Sequence, residues 1–140
     1  MKVFSISKAA TVMTLASAIM LLNTVTSFAQ SAKDKTKCAY VVKNLKLSKE
    51  EQGKFTTTFY AYLKERKQVR AIYEDLKDEL KESIKNNTIT AAQAQKLLQN
   101  RWIADEKELQ VRKKYSDIFV KTLGAKKAFN VFRFANDKVE

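Results

Sequence analysis

Six carboxylates in the middle of this 140-residue chain, Glu65, Glu74, Asp75, Asp105, Glu106 and Glu108, are of the type that pairs for general acid–base work. They alternate with lysines and arginines, as the solvated face of a helix does, so they are expected to serve solubility and the chain is expected not to be an enzyme. Histidine is absent, and Cys38 is the single cysteine. Ser-His-Asp and Cys-His catalysis both need an imidazole, and zinc sites almost always recruit Cys or His. No catalytic set, no cofactor and no metal centre is therefore expected. Cys38 has no partner for an intramolecular disulfide. It is either a free thiol or an intermolecular link, in a segment expected to be mobile.

The chemistry these residues do offer is binding. Lys and Arg number 27 against 15 Asp and Glu, a net charge of +12. Such an excess favours anionic lipid, polyanions or acidic protein surfaces. The charge is uneven: residues 33–47 carry five lysines against Asp34, and residues 112–140 carry eight basic groups against three acids. Residues 48–111 are nearly balanced. The candidate binding residues are Arg112, Lys113, Lys126, Lys127 and Arg133, interleaved with Phe129, Phe132 and Phe134.

Helices must position these groups. There is no proline, and Gly53 and Gly124 are the only glycines, far too few turn residues for a β fold. Ser48-Lys49-Glu50-Glu51 is a capping box. From it apolar residues fall at 55, 59, 62, 69, 73, 76 and 80, a heptad seam with Arg66 in one slot. One helix is expected from Lys49 to Ile84 or Lys85. Asn86-Asn87 breaks it, and Thr90-Ala91-Ala92-Gln93 is a second capping box. A second helix is expected from Ala91 to Leu123, with Gly124 as its cap. Its inward stripe reads as Ala94, Leu98, Trp102, Leu109, Tyr115, Phe119 and Leu123. A last helix should run from Ala125 to about Asn136.

Two long helices joined by a few residues are antiparallel neighbours. With the turn between Thr88 and Ile89, residue i faces about residue 177 − i. Leu80 should meet Leu97, Leu76 meet Trp102, Val69 meet Leu109 and Phe59 meet Phe119. Tyr73 should bond Asp105. Arg66 falls near Arg112, a level that must be wet or open because two guanidiniums do not bury unpaired. The expected fold is all-α, a long antiparallel hairpin with a short lead-in and a short C-terminal helix, dimerising. The hairpin brings both basic segments to its open end.

Residues 1–29 read as a secretory signal peptide: Lys2 and Lys8, an apolar stretch from Val12 to Leu22, and Ser27-Phe28-Ala29 before a cut that frees Gln30. The expected layout is 1–29 signal peptide, 30–47 basic, partly ordered lead-in with at most one short helix, 48–136 hairpin domain with its last helix, and 137–140 tail. An exported protein meets little nucleic acid, so that partner is not expected.

Asn44-Leu45-Lys46-Leu47-Ser48-Lys49-Glu50-Glu51-Gln52 resembles the "L-x-L-T-x-E-Q" helix start of the Spy/CpxP family of small periplasmic chaperones and stress sensors. Leu123-Gly124-Ala125-Lys126-Lys127-Ala128-Phe129 is similar to the family's second "L-T-x-x-Q-x-x-x-F" element. The resemblance covers about residues 45–135. It implies a periplasmic location and a helical hairpin that dimerises into a basic cradle. Such a cradle holds unfolded or acidic clients without ATP. The competing expectation is a basic hairpin that docks on anionic lipid, lipopolysaccharide or an envelope protein and has no chaperone activity.

Overall fold

A computed structural model describes residues 30–138. Residues 1–29, expected to be a signal peptide, and the last two residues lie outside the described residues. The fold is all-α, with no strand among the described residues. Five helices follow in order: α1 (Ala32–Leu45), α2 (Lys49–Glu79), α3 (Lys81–Lys85), α4 (Ala91–Leu123) and α5 (Ala125–Asn136).

Both capping boxes form as the residue types require. The Ser48 hydroxyl accepts from the Glu51 N–H at 3.2 Å, and the Glu51 carboxylate accepts from the Ser48 N–H at 2.9 Å. Thr90 and Gln93 do the same at 3.2 and 3.0 Å. These bonds satisfy orphan donors at each helix start. Asn87 turns the chain with a φ of +53°, a conformation that asparagine tolerates better than most residues.

The first long helix is not continuous to Lys85. It bends at Leu80, which adopts φ −93° and ψ 8° between α2 and α3. The Leu80 N–H still reaches the Leu76 carbonyl at 3.1 Å, and the Ile84 N–H reaches Leu80 at 2.9 Å. No proline or glycine is needed, because this bridge region is sterically allowed and the backbone bonds survive on both sides.

The lead-in is more ordered than expected. The chain from 32 to 45 is a full helix. Its Cys38, Val41 and Leu45 lie three and four residues apart and form one buried stripe. Five lysines in the same segment masked that stripe. Cys38 is thus buried rather than mobile, and burial pushes its thiol pKa up, although Tyr60 and Thr56 bond it. Lys37 is the clasp: its ammonium donates to the Ala135 and Asp137 carbonyls at 2.7 and 2.9 Å. Tyr40 adds a bond to the Asp137 carboxylate at 3.0 Å. Through these groups α1 seals the end of α5.

The core sits where α1 and α5 cover the open end of the α2–α4 hairpin. Val41, Phe55, Phe59, Tyr62, Phe119 and Val131 are its fully buried members. Phe55 stacks on Phe59 with centroids 5.0 Å apart, and Tyr62 lies 5.5 Å from Tyr115. The hairpin register follows the expected relation at the open end and drifts by several positions towards the turn, where Arg101 lies over Tyr73. Tyr62 meets Tyr115, Glu65 meets Lys114, and Asn100 donates to the Ile72 carbonyl at 3.0 Å. Towards the turn the seam thins, and Val69, Tyr73, Leu76 and Leu80 are only half-buried.

The inward stripe of α4 is as expected at Tyr115 and Phe119 and is corrected towards the turn. Its buried positions are Ala104, Glu108, Val111, Tyr115 and Phe119, with the same steps of three and four. Leu98, Trp102 and Leu109 face solvent, 54, 64 and 52% exposed, so they do not close against Val69 or Leu76. A helix burying the first stripe cannot also bury one lying more than a quarter-turn away. Asp105 bonds Arg101 at 3.0 Å, and that guanidinium lies over the Tyr73 ring at 5.1 Å. The cation thus takes the place of the expected Tyr73–Asp105 bond.

The two glycines predict opposite outcomes. Gly53 is exposed inside α2 with open space where a Cβ would stand. Gly53→Ala should stabilise the protein by about 0.5–1 kcal/mol, since glycine loses the most backbone freedom in a helix. Gly124 joins α4 to α5 at φ +82°, ψ 157°, a region reached essentially by glycine alone. Gly124→Ala should cost on the order of 1–3 kcal/mol of backbone strain. Urea unfolding of both variants reads the two signs; equal signs would contradict the backbone geometry.

Candidate binding surface

The expected carboxylate face of α2 and α4 holds one group that is not solvated. Glu108 is 7% exposed because Arg66 and Arg70 of α2 face it and Arg112 lies one turn further along α4. Arg66 Nε donates to it at 2.7 Å, Arg70 Nε at 2.8 Å and Arg112 Nη2 at 2.8 Å. Burial alone would raise the Glu108 pKa. The hydrogen bonds from Arg70 and Arg66 outweigh it and lower the pKa to about 2. At the level of Arg66 and Arg112 a shared carboxylate lets the two guanidiniums approach, with Arg66 mostly buried and Arg112 still 42% exposed. Glu65, Glu74 and Asp105 are also held by cations. Glu65 accepts from Lys114 and from the Tyr115 hydroxyl, both at 2.7 Å, and Glu74 pairs with Lys77 at 3.2 Å. Burial raises the Tyr115 pKa, and the bond to Glu65 adds to it.

The candidate residues of the basic end divide three ways. Lys127 is tied to Glu51 of α2 at 2.6 Å and so holds α5 to α2, whereas Arg112 pairs with Glu108 within α4. Phe132 and Phe134 are half-buried. Phe132 turns its edge to Tyr62 at 5.6 Å, and Phe134 lies edge-on to Tyr40 at 6.2 Å with Arg133 over its face. Phe129 stands out at 71% exposure, with Lys126 and Arg133 also exposed on α5. Arg112, Lys113 and Phe132 come together with Ser116 and Asn136 around an open groove of about 240 Å³ between α4 and α5. The lead-in lysines line a different groove: Lys33 and Lys37 face Arg66, Lys67 and Arg70 between α1 and α2.

A second feature escaped the sequence reading. Leu98, Trp102, Leu109 and Val120 are all exposed on α4. At 3.6 residues per turn, their spacing of 4, 7 and 11 keeps them within about 40° of one line along the helix, over about 33 Å. Leu98, Trp102 and Leu109 belong to the row that was expected to face inward, whereas Tyr115 and Phe119 of that row are buried. Its alignment was visible, and its direction was not.

Among the described residues no group of His, Cys, Asp and Glu could hold a metal ion, and no helix is long and apolar enough to cross a membrane. No family model matches the chain, and no curated protein or solved structure is similar to it.

Proposed function

We propose that the chain works as a periplasmic, ATP-independent holding protein, delivered by a signal peptide cleaved after Ala29. Unfolded or acidic protein clients are its partners, and the likeness to Spy/CpxP chaperones points the same way. The observation that carries this reading is Phe129: a phenylalanine 71% exposed between exposed Lys126 and Arg133 on α5. A lone ring in water is poorly placed for stability and well placed for contact. The cations draw an acidic chain towards the surface, and the ring lengthens its stay. Charge acts mainly on the rate of encounter and apolar contact on the rate of escape. Screening at ~0.15 M ionic strength confines the attraction to about 8 Å, so capture weakens as salt rises.

Suppression of aggregation of an acidic, chemically denatured client tests it. Phe129→Ser should reduce suppression several-fold without unfolding the protein, because Phe129 is not part of the core. Charge reversal at Lys126 and Arg133 should slow capture. The matched control is charge reversal at Lys81 and Lys85 near the hairpin turn. A control that impairs capture equally would mean that only net charge matters. Absence of any suppression, with binding to anionic vesicles instead, would replace client holding by docking on an anionic envelope surface.

A further inference from the structure

We propose that the groove between α4 and α5 captures the C-terminal end of an unfolded client chain, with its α-carboxylate held by Arg112 and Lys113 and its last, apolar side chain laid on Phe132. The proposal deepens the client-holding reading and rests on it for where the chain end comes from. What it adds is the part of the client that is recognised.

The groove of about 240 Å³ is lined by Arg112, Lys113, Ser116, Phe132 and Asn136, with no acid among them. Behind it Arg66, Arg70 and Arg112 share the one carboxylate of Glu108, three positive charges against one negative. Arg112 uses Nη2 for that carboxylate, and its side chain is 42% exposed, so the rest of its fork is free to donate. Lys113 is exposed and has no ion pair or hydrogen bond among the described residues. Neutral donors stand beside the cations. The Ser116 hydroxyl has no hydrogen-bond partner among the described residues. Asn136 accepts from Arg66 through Oδ1 at 3.4 Å, which leaves its NH2 group to donate. The floor is apolar. Phe132 lies edge-on to Tyr62 and Phe119 at 5.6 and 5.9 Å. These core rings fix its tilt, while its remaining half-exposed surface lines the groove.

These features select the occupant. Its anion must sit beside its own apolar group, within the reach of one residue. A C-terminal residue has that layout, because the α-carboxylate and the side chain leave the same Cα. An aspartate or glutamate carries its charge at the tip of the side chain, with nothing apolar left to lay on Phe132. A bare phosphate has no apolar part at all. A lipid tail or a whole helix needs more room, since the groove is smaller than the roughly 300–1,000 Å³ of sites that enclose drug-sized ligands. Hydrogen bonds from cations to a carboxylate are about twice as strong as neutral ones, so the charged end sets the orientation and the ring selects the last side chain. Each client has one such end, whereas exposed Phe129 offers a contact to any apolar segment. The two contacts therefore act on different parts of one chain.

The probe is an N-acetylated glycine-serine hexapeptide ending in leucine, titrated into the mature protein and followed by backbone amide NMR shifts. The free acid should bind and move the amides of Lys113, Ser116, Phe132 and Asn136. Its C-terminal amide keeps the leucine and lacks the charge, and should bind at least about tenfold more weakly. The free acid ending in serine keeps the charge and lacks the apolar group, and should bind several-fold more weakly. Lys113→Glu should weaken the leucine acid by about tenfold with unchanged helical circular dichroism, since Lys113 is exposed and unpaired. Lys81→Glu, near the hairpin turn, should leave the affinity unchanged. Equal binding of acid and amide, shifts confined to other helices, or no loss in Lys113→Glu would each overturn the proposal. Tighter binding of octanoate than of the peptide would overturn it as well, by making the groove a site for free fatty acids. Phe129→Ser separates the two readings: it should lose suppression of aggregation and still bind the peptide. A protein that suppresses aggregation and ignores the free acid sinks the groove alone, and one that binds the acid and suppresses nothing sinks client holding alone.

Discussion

Glu108→Ala is expected to destabilise the protein by about 3 kcal/mol, the lower end of the range for removing one partner of a buried ion pair. Without the carboxylate, Arg66 is left 13% exposed with its Nε unanswered, facing Arg70 and Arg112. The lower end applies because Arg70 and Arg112 are about half in water and can turn outward. The same group predicts a pH dependence. Its folded pKa, about 2, lies below the ordinary 4.5, so the unfolded chain binds the proton more readily. The stability it supplies is complete above pH 4.5 and is lost as pH falls from there towards 2. Urea titrations across that window should show the loss in the native protein and a flatter profile in Glu108→Gln. An identical acid profile in the variant would mean that the clamp contributes nothing.

Phe59→Ala is expected to cost about 3–5 kcal/mol, the range for truncating a fully buried aromatic ring. Phe59 has no exposed surface. It stacks on Phe55 at 5.0 Å and meets Tyr62 at 6.0 Å, and both of those rings touch Phe119 of α4. The cavity therefore opens where α2 and α4 are joined, and the surrounding rings are too rigid to close it. Phe129→Ala is the internal contrast, the same truncation at an exposed ring, and should change stability by less than about 0.5 kcal/mol. Denaturant midpoints for the two variants that coincide would place Phe59 outside the core.

The starts of α2 and α4 were legible to the residue, because a capping box is a local signal and Ser48, Glu51, Thr90 and Gln93 need no distant partner to form one. The hairpin register followed from the short connection after Asn87. What was not legible was a choice between two stripes on α4 with the same period. Leu98, Trp102 and Leu109 have the greater hydrophobicity, yet Ala104, Glu108 and Val111 face inward. The decision rests on α2, whose Arg66 occupies a core slot and needs an acid across from it. An arginine in an apolar seam was the clue to a buried carboxylate, and Glu108 was the acid in register. In α1 the lysines outweighed the spacing of Cys38, Val41 and Leu45, so a docked helix read as a loose lead-in. The candidate site was legible as composition, since the aromatics and cations do gather on α5 and the end of α4. Which ring stays bare, Phe129 rather than Phe132 or Phe134, depends on how α5 rolls against Tyr62 and Tyr40.

The clasp between α1 and α5 also sets the order in which the chain is able to fold. Lys37 and Ala135 are 98 positions apart, whereas α2 and α4 meet across a connection of a few residues. Local contacts form first and distant ones last, so the hairpin is able to zip from its turn while α1 waits. A chain emerging from its N-terminus presents α1 earliest; α2, whose Tyr60 and Thr56 bond Cys38, follows, and the part of the cover supplied by α5 arrives last. Until then the side of the α1 stripe that α5 covers is open to other chains, and a product cut short before α5 never closes it.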